Sequence, residues 1–158
     1  MPVPLIKRPK TIAITPTISA AAIYAAGDAL GGLLEFADAG NADYGSGVIE
    51  GLVIIDDDQE QDGLELHLFD RTFTATADNA PWDPTDADLE NWIGFLEIVA
   101  GDYADFTDNS AAILRNQNLP FNLVSGGTSL FGQLVTRETP TYTLVGDITV
   151  KLIIQRDW

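Results

Sequence analysis

Side chains able to do chemistry concentrate between residues 47 and 71, GVIEGLVIIDDDQEQDGLELHLFDR. His67 is the one histidine of the chain. Any Ser-His-Asp relay must therefore use it, yet it stands in a regular alternating run and no GxSxG nucleophile elbow occurs anywhere. It is read as a side chain on the outward face of a strand. Carboxylate pairs for glycoside hydrolysis are expected by abundance alone in so acidic a chain, and nothing marks one as acid and another as base. Asp56, Asp57, Asp58, Glu60 and Asp62 lead into Gly63, an arrangement that invites comparison with a calcium loop. Counting Asp58, Glu60 and Asp62 as alternating ligands puts Gly63 at the glycine position. Phe69 then takes the place of the bidentate Glu, and no helix flanks the loop. The loop is read as solvated, its like charges resisting edge-to-edge association. Of Trp82, Trp92 and Trp158, the first lies in a loop and is a candidate surface contact for a protein partner or a glycan, whereas Trp92 is expected in the core. No catalytic residue, metal site or cofactor is assigned, and the chain is read as not an enzyme.

These residues need a sheet to hold them. Residues 48–55 are rich in β-branched side chains, and in 64–69 Leu64, Leu66 and Leu68 alternate with Glu65 and His67, the period-2 pattern of a half-buried strand. With DDDQEQDG between them, the two runs are expected to form one long β-hairpin. Residues 1–10, MPVPLIKRPK, contain three prolines and predict an extended arm rather than a helix. A strand over 11–19 is interrupted by Pro16, and a second, after Tyr24, leads through Leu33, Leu34 and Phe36. Pro81 and Pro84 mark a long surface loop after Arg71. Asp86 or Asp88 caps a short helix through Leu89 and Trp92, or that stretch already begins a strand; 95–99 is strand in either case. A short strand at 111–115, a turn around Pro120, a tight turn at 125–127 and long strands over 129–137 and 147–155 complete the chain. In the last, Ile148, Val150, Leu152 and Ile154 face one way, with Ile153 the exception. About eight strands, frequent turn signals and no long amphipathic helix predict an all-β protein, an antiparallel β-sandwich of jelly-roll type with at most one short helix. The expected organisation is an arm over 1–10 and a single domain over 11–158.

Composition narrows the function classes. A chain of 158 residues without cysteine suits one packed core and excludes a disulfide scaffold or a thiolate nucleophile. No apolar run approaches the roughly 20 residues of a membrane span and no signal-peptide core opens the sequence, so a soluble protein with no membrane partner is expected, not exported by that route. The 24 acidic and 8 basic side chains give a formal charge of −16, which argues against a nucleic-acid partner. Lys7, Arg8 and Lys10 fall within ten residues that hold no acid, while Arg71 is the sole Lys or Arg over 28–108. An acidic body thus carries a basic arm suited to an acidic surface on a neighbour.

The order TPTISAAAIYAAGDALGGLLEF, VIIDDDQEQDGLELHLFDR, DLENWIGFLEI, DYADFTDNSAAILRNQNLPF and LFGQLVTRETPTYTLVGDITVKL resembles small virion proteins of tailed bacteriophages. Within that group it looks most like the cement or decoration proteins of icosahedral heads, several of which are jelly-roll trimers. The similarity runs from Thr11 onward and rests on short phrases rather than a catalytic signature; the DDDQEQDG loop is more acidic than the group's pattern. The resemblance implies a capsid cement protein on the virion exterior, made in the host cytoplasm. It would self-associate as a homotrimer and bridge subunits of the major capsid protein. Val3, Leu5 and Ile6 would supply apolar contact, and Lys7, Arg8 and Lys10 charged contact. A tail or baseplate subunit and a host-glycan binding module are the alternatives.

Overall fold

The computed structural model describes residues 9–41, 43 and 45–156. Val3, Leu5, Ile6, Lys7 and Arg8 of the expected arm, and Trp158, lie outside them. The described chain is all-β, with ten strands and one short helix. The strands are β1 (Lys10–Ile14), β2 (Ala29–Phe36), β3 (Ser46–Asp56), β4 (Leu64–Phe69), β5 (Trp92–Ile98), β6 (Tyr103–Asp105), β7 (Ser110–Leu114), β8 (Leu119–Asn122), β9 (Leu130–Thr136) and β10 (Ile148–Arg156). The helix is α1 (Asp86–Leu89). They form two antiparallel sheets. One runs β1-β10-β3-β7-β6, with β8 also paired to β3, and the other runs β2-β9-β4-β5. The pairing is nested: β1 with β10, β2 with β9, β3 with β7 and β4 with β5.

The alternation of β10 explains its place. Ile148, Val150, Leu152 and Ile154 enter one buried cluster with Ile49, Leu52 and Ile54 of β3 and with Leu64, Leu66, Leu68, Leu96 and Ile98 of the other sheet. Burying each such side chain contributes about 1.5–3 kcal/mol. Ile153 simply points the other way. At Ile153/Ile154 the register with β3 slips past Glu50, a bulge beside Gly51. A Cβ on Gly51 would collide with the Leu114 carbonyl oxygen, so the close approach of β7 requires glycine there.

The expected hairpin does not form. β3 and β4 belong to different sheets, and residues 57–63 carry the chain from one to the other. Nor is the acidic loop simply solvated, because Asp56 and Asp62 are buried. Asp56 accepts hydrogen bonds from the backbone N–H of Asp58 (3.0 Å) and of Gln61 (2.7 Å). Asp58 accepts from the Thr143 N–H (2.9 Å) and hydroxyl (3.1 Å), and Glu60 from the Thr141 N–H (3.1 Å). Gln59 Nε2 donates to the carbonyls of Phe106 (2.6 Å) and Asn109 (3.0 Å). These hydrogen bonds tie three connections together at one end of the sheets.

Candidate functional site

In β4 all six side chains are buried. The leucines face the inter-sheet core, and Glu65, His67 and Phe69 face the other way. What covers them is the connection 70–91, which lies across the outer face of the four-stranded sheet. Its anchors are polar. Gln133 of β9, fully buried, donates to the carbonyls of Thr76 (2.6 Å) and Gly31 (3.0 Å) and accepts from the Thr76 N–H (3.0 Å). Asp78 accepts from Ser19 Oγ (2.5 Å), Tyr24 Oη (2.8 Å) and the Gly31 N–H (2.6 Å). Backbone bonds from Ala29 to Ala80 (2.8 Å) and from Trp82 to Gly27 (2.9 Å) fasten residues 79–82 beside the start of β2. This fixes Trp82 over His67, with ring centroids 3.9 Å apart.

The second wall comes from β5. Between Leu68 and Phe69 the β4–β5 register skips Ile93, and Gly94 adopts φ +147°. A bulge of this kind turns the residue before it to the opposite face. Trp92 therefore leaves the core face, packs beside Phe95 (6.2 Å, interplanar angle 14°) and stays 40% exposed. The expectation of a core Trp92 is corrected by this one bulge. Phe95 also stacks near His67, at 5.3 Å, and is 44% exposed. Trp82, Trp92, Phe95 and Leu89 thus line a groove of about 270 Å³ whose polar end is Glu65, His67 and Arg137.

α1 delivers Leu89 to this groove. Thr85, rather than Asp86 or Asp88, caps it: its Oγ1 accepts the Asp88 N–H (3.1 Å) and donates to the Asp88 carboxylate (2.8 Å). Thr85→Ala is expected to cost about 1 kcal/mol, measured as a lowered urea midpoint at unchanged slope.

The polar end is self-contained. Arg137 holds the Glu65 carboxylate through Nε at 2.7 Å and through a second, close guanidinium contact. His67 Nε2 lies 2.8 Å from the other carboxylate contact, Oε2. Burial alone would raise Glu65; the hydrogen bonds from Arg137 and His67 overcome it and leave the carboxyl below its ordinary value. Burial pushes the His67 pKa down, against the pull of Glu65. The ring is neutral near pH 7 and donates from Nε2, since ionised Glu65 only accepts. His67 does face outward from the inter-sheet core, as the alternation implied, but it is buried under a tryptophan. His67 Nδ1 and Trp82 Nε1 are buried without a hydrogen-bond partner.

The groove offers three aromatic rings and a leucine beside a balanced charge pair. Among the described residues no group of three or more His, Asp or Glu side chains is placed to hold a metal ion. Trp82, the candidate surface contact, is at the groove. Lys10, assigned to the arm, opens β1 opposite Ile154. Its Nζ donates to the Asp38 carbonyl (3.2 Å) and lies 3.6 Å from the Asp38 carboxylate, so its charge is engaged within the body. The sequence reading missed Glu65, His67, Phe95 and Arg137 as one constellation. The available signal was the glycine at 94, which marks a bulge inside a strand pattern. No family model, curated protein or solved structure matches the chain.

Proposed function

We propose that the chain is a bacteriophage virion structural protein, a capsid cement protein of jelly-roll fold. It self-associates as a homotrimer and bridges subunits of the major capsid protein on the outside of the head, having been made in the host cytoplasm. The observation that carries the reading is the nested strand order, first strand with last and second with next to last, across two antiparallel sheets. Such nesting supports a jelly roll, an architecture found among viral capsid domains and lectins. It agrees with the phrase-by-phrase resemblance of the sequence. The exposed apolar side chains Ile23 (72%), Leu144 (66%) and Val145 (55%) favour association as well. They sit on segments bonded to each other through Ile18 and Val145 (3.1 Å) and through Ala21 and Tyr142 (2.7 Å). Such a patch is better hidden in an assembly than left to water. The arm's role narrows to the residues preceding β1, with Val3, Leu5, Ile6, Lys7 and Arg8 as its contacts.

Immuno-electron microscopy of intact virions is expected to place the label on the head, and light scattering of the purified protein to give a mass near three times 17.0 kDa. Label confined to the tail would replace the cement reading with a tail or baseplate subunit. One observation favours a second reading, a host-glycan module: Trp82, Trp92 and Phe95 beside Glu65 and Arg137 make an aromatic platform with polar groups at its end. Sugar binding by the unmodified protein, lost in Trp82→Ala, would support it.

A further inference from the structure

We propose that the groove formed by Trp82, Leu89, Trp92 and Phe95 receives the N-terminal segment, residues 1–8, of a neighbouring copy of the same chain. The inference rests on the reading that the protein self-associates, and it names the contact that does so. Two properties of the groove select this occupant. First, its walls are aromatic and open: Trp92, Phe95 and Leu89 are each at least 40% exposed. Aromatic-lined grooves bind proline-rich extended peptides well, because such peptides lose little entropy on docking. The segment MPVPLIKR places Pro2 and Pro4 among Val3, Leu5 and Ile6.

Second, the charges match. Residues 70–98, which supply Trp82, Leu89, Trp92 and Phe95 to the groove, carry Arg71 as their sole Lys or Arg and include Asp83, Asp86, Asp88, Glu90 and Glu97. Arg71 is occupied by Asp70 at 2.8 Å. The guanidinium of Arg137 is taken up by Glu65. Lys7 and Arg8 are the complementary pair, in a segment, residues 1–10, that holds no acid. Opposite fields of this kind speed encounter and fix the direction of docking.

The occupant comes from another copy because of where β1 lies. β1 packs over β2, at the edge of the four-stranded sheet opposite β5. A segment leaving β1 would have to cross β2, β9 and β4 beneath or over the covering connection to reach its own groove. A tail-into-groove contact between copies is heterologous, and such contacts form a ring where the rotation between copies closes and a filament where it does not. A ring of three uses every segment and every groove once, and its three contacts reinforce one another.

The test places the photo-crosslinking residue p-benzoylphenylalanine at position 5 of the full chain, in an equal mixture of ¹⁵N-labelled and unlabelled protein. Irradiation is expected to give crosslinks joining heavy to light chains, mapped by mass spectrometry to residues 82–95. Trp92→Ala, and separately Phe95→Glu, should lower their yield at least about tenfold with an unchanged circular dichroism spectrum. Crosslinks within a single chain, crosslinks to another surface, or yields unaffected by both substitutions would overturn the proposal. Crosslinks to another surface in a protein that still forms trimers on heads would overturn this contact alone. Inter-chain crosslinks at the groove in a protein absent from heads would leave the contact standing and remove the cement reading.

Discussion

Replacing Asp56 with Ala is expected to lower stability by about 3 kcal/mol, although a run of aspartates between two strands gives no hint that one of them is structural. The carboxylate is fully buried and accepts from two backbone N–H groups, of Asp58 and Gln61. Gln59 and Gln61 both take left-handed conformations, φ 56° and 53°, which non-glycine residues hold only when something fixes them. Asp56 is what fixes them. Alanine would leave two donors without their acceptor and release a loop that ties Asp58 to Thr143, Glu60 to Thr141 and Gln59 to Phe106. Burial raises the Asp56 pKa against the two N–H bonds that lower it, so part of the loss is recovered when the desolvated charge is removed. Asp56→Asn, which keeps one acceptor, should lose about half as much. In urea, with a slope of about 2 kcal/mol/M, the alanine variant's midpoint falls by about 1.5 M. A midpoint within about 0.3 M of the parent would show that the loop is held by its other contacts.

The same loop shows where sequence reading stops. β-Branched content, turn signals and, in β4 and β10, period-2 alternation located β3, β4, β9 and β10 to within a residue or two, because these patterns are local. They could not say that β3 and β4 lie in different sheets. Eight polar residues suit a hairpin tip and a sheet-to-sheet crossing equally well, and the choice is made by the distant partners β7, β9 and β10. Alternation was also misleading at His67. Polar residues opposite leucines signal a solvated face, but here the outer face is roofed by residues 70–91, whose anchoring partners Gln133, Ser19, Tyr24 and Gly31 are far from them in the chain. Trp92 was misplaced for a third reason: one bulge reverses the face of every residue beyond it. Trp82 was legible as a loop aromatic, though its partners were not. The groove is therefore a product of register and long-range bonding, which a single sequence encodes without displaying.

Asp62 should make stability fall as pH rises from about 4 to about 7, the reverse of what paired carboxylates do. It is buried, with one carboxylate oxygen close to Thr136 Oγ1 and the other without a partner. Burial raises its pKa from 3.8 to about 7, outweighing the Thr136 hydrogen bond, while nearby Glu138 and Asp56 push it the same way. In the window between those values the folded state holds a proton that the unfolded state has released. Unfolding is then favoured by rising pH, and the penalty is complete above about 7. A rise of that size corresponds to on the order of 4 kcal/mol. Glu65 acts outside this window: its lowered pKa gives stability that is lost only as pH falls below the ordinary glutamate range. His67, lowered by burial, acts with the opposite sign to Asp62, gaining stability as pH rises toward 6.5. Comparison with Asp62→Asn isolates Asp62 itself, since the other groups remain in both proteins and the amide keeps an acceptor for Thr136. At pH 8 the variant should be the more stable protein by a few kcal/mol, and at pH 4 the advantage should vanish. A stability difference that stays constant across that range would mean that Asp62 is ionised throughout, its charge met by a group that reaches the open oxygen.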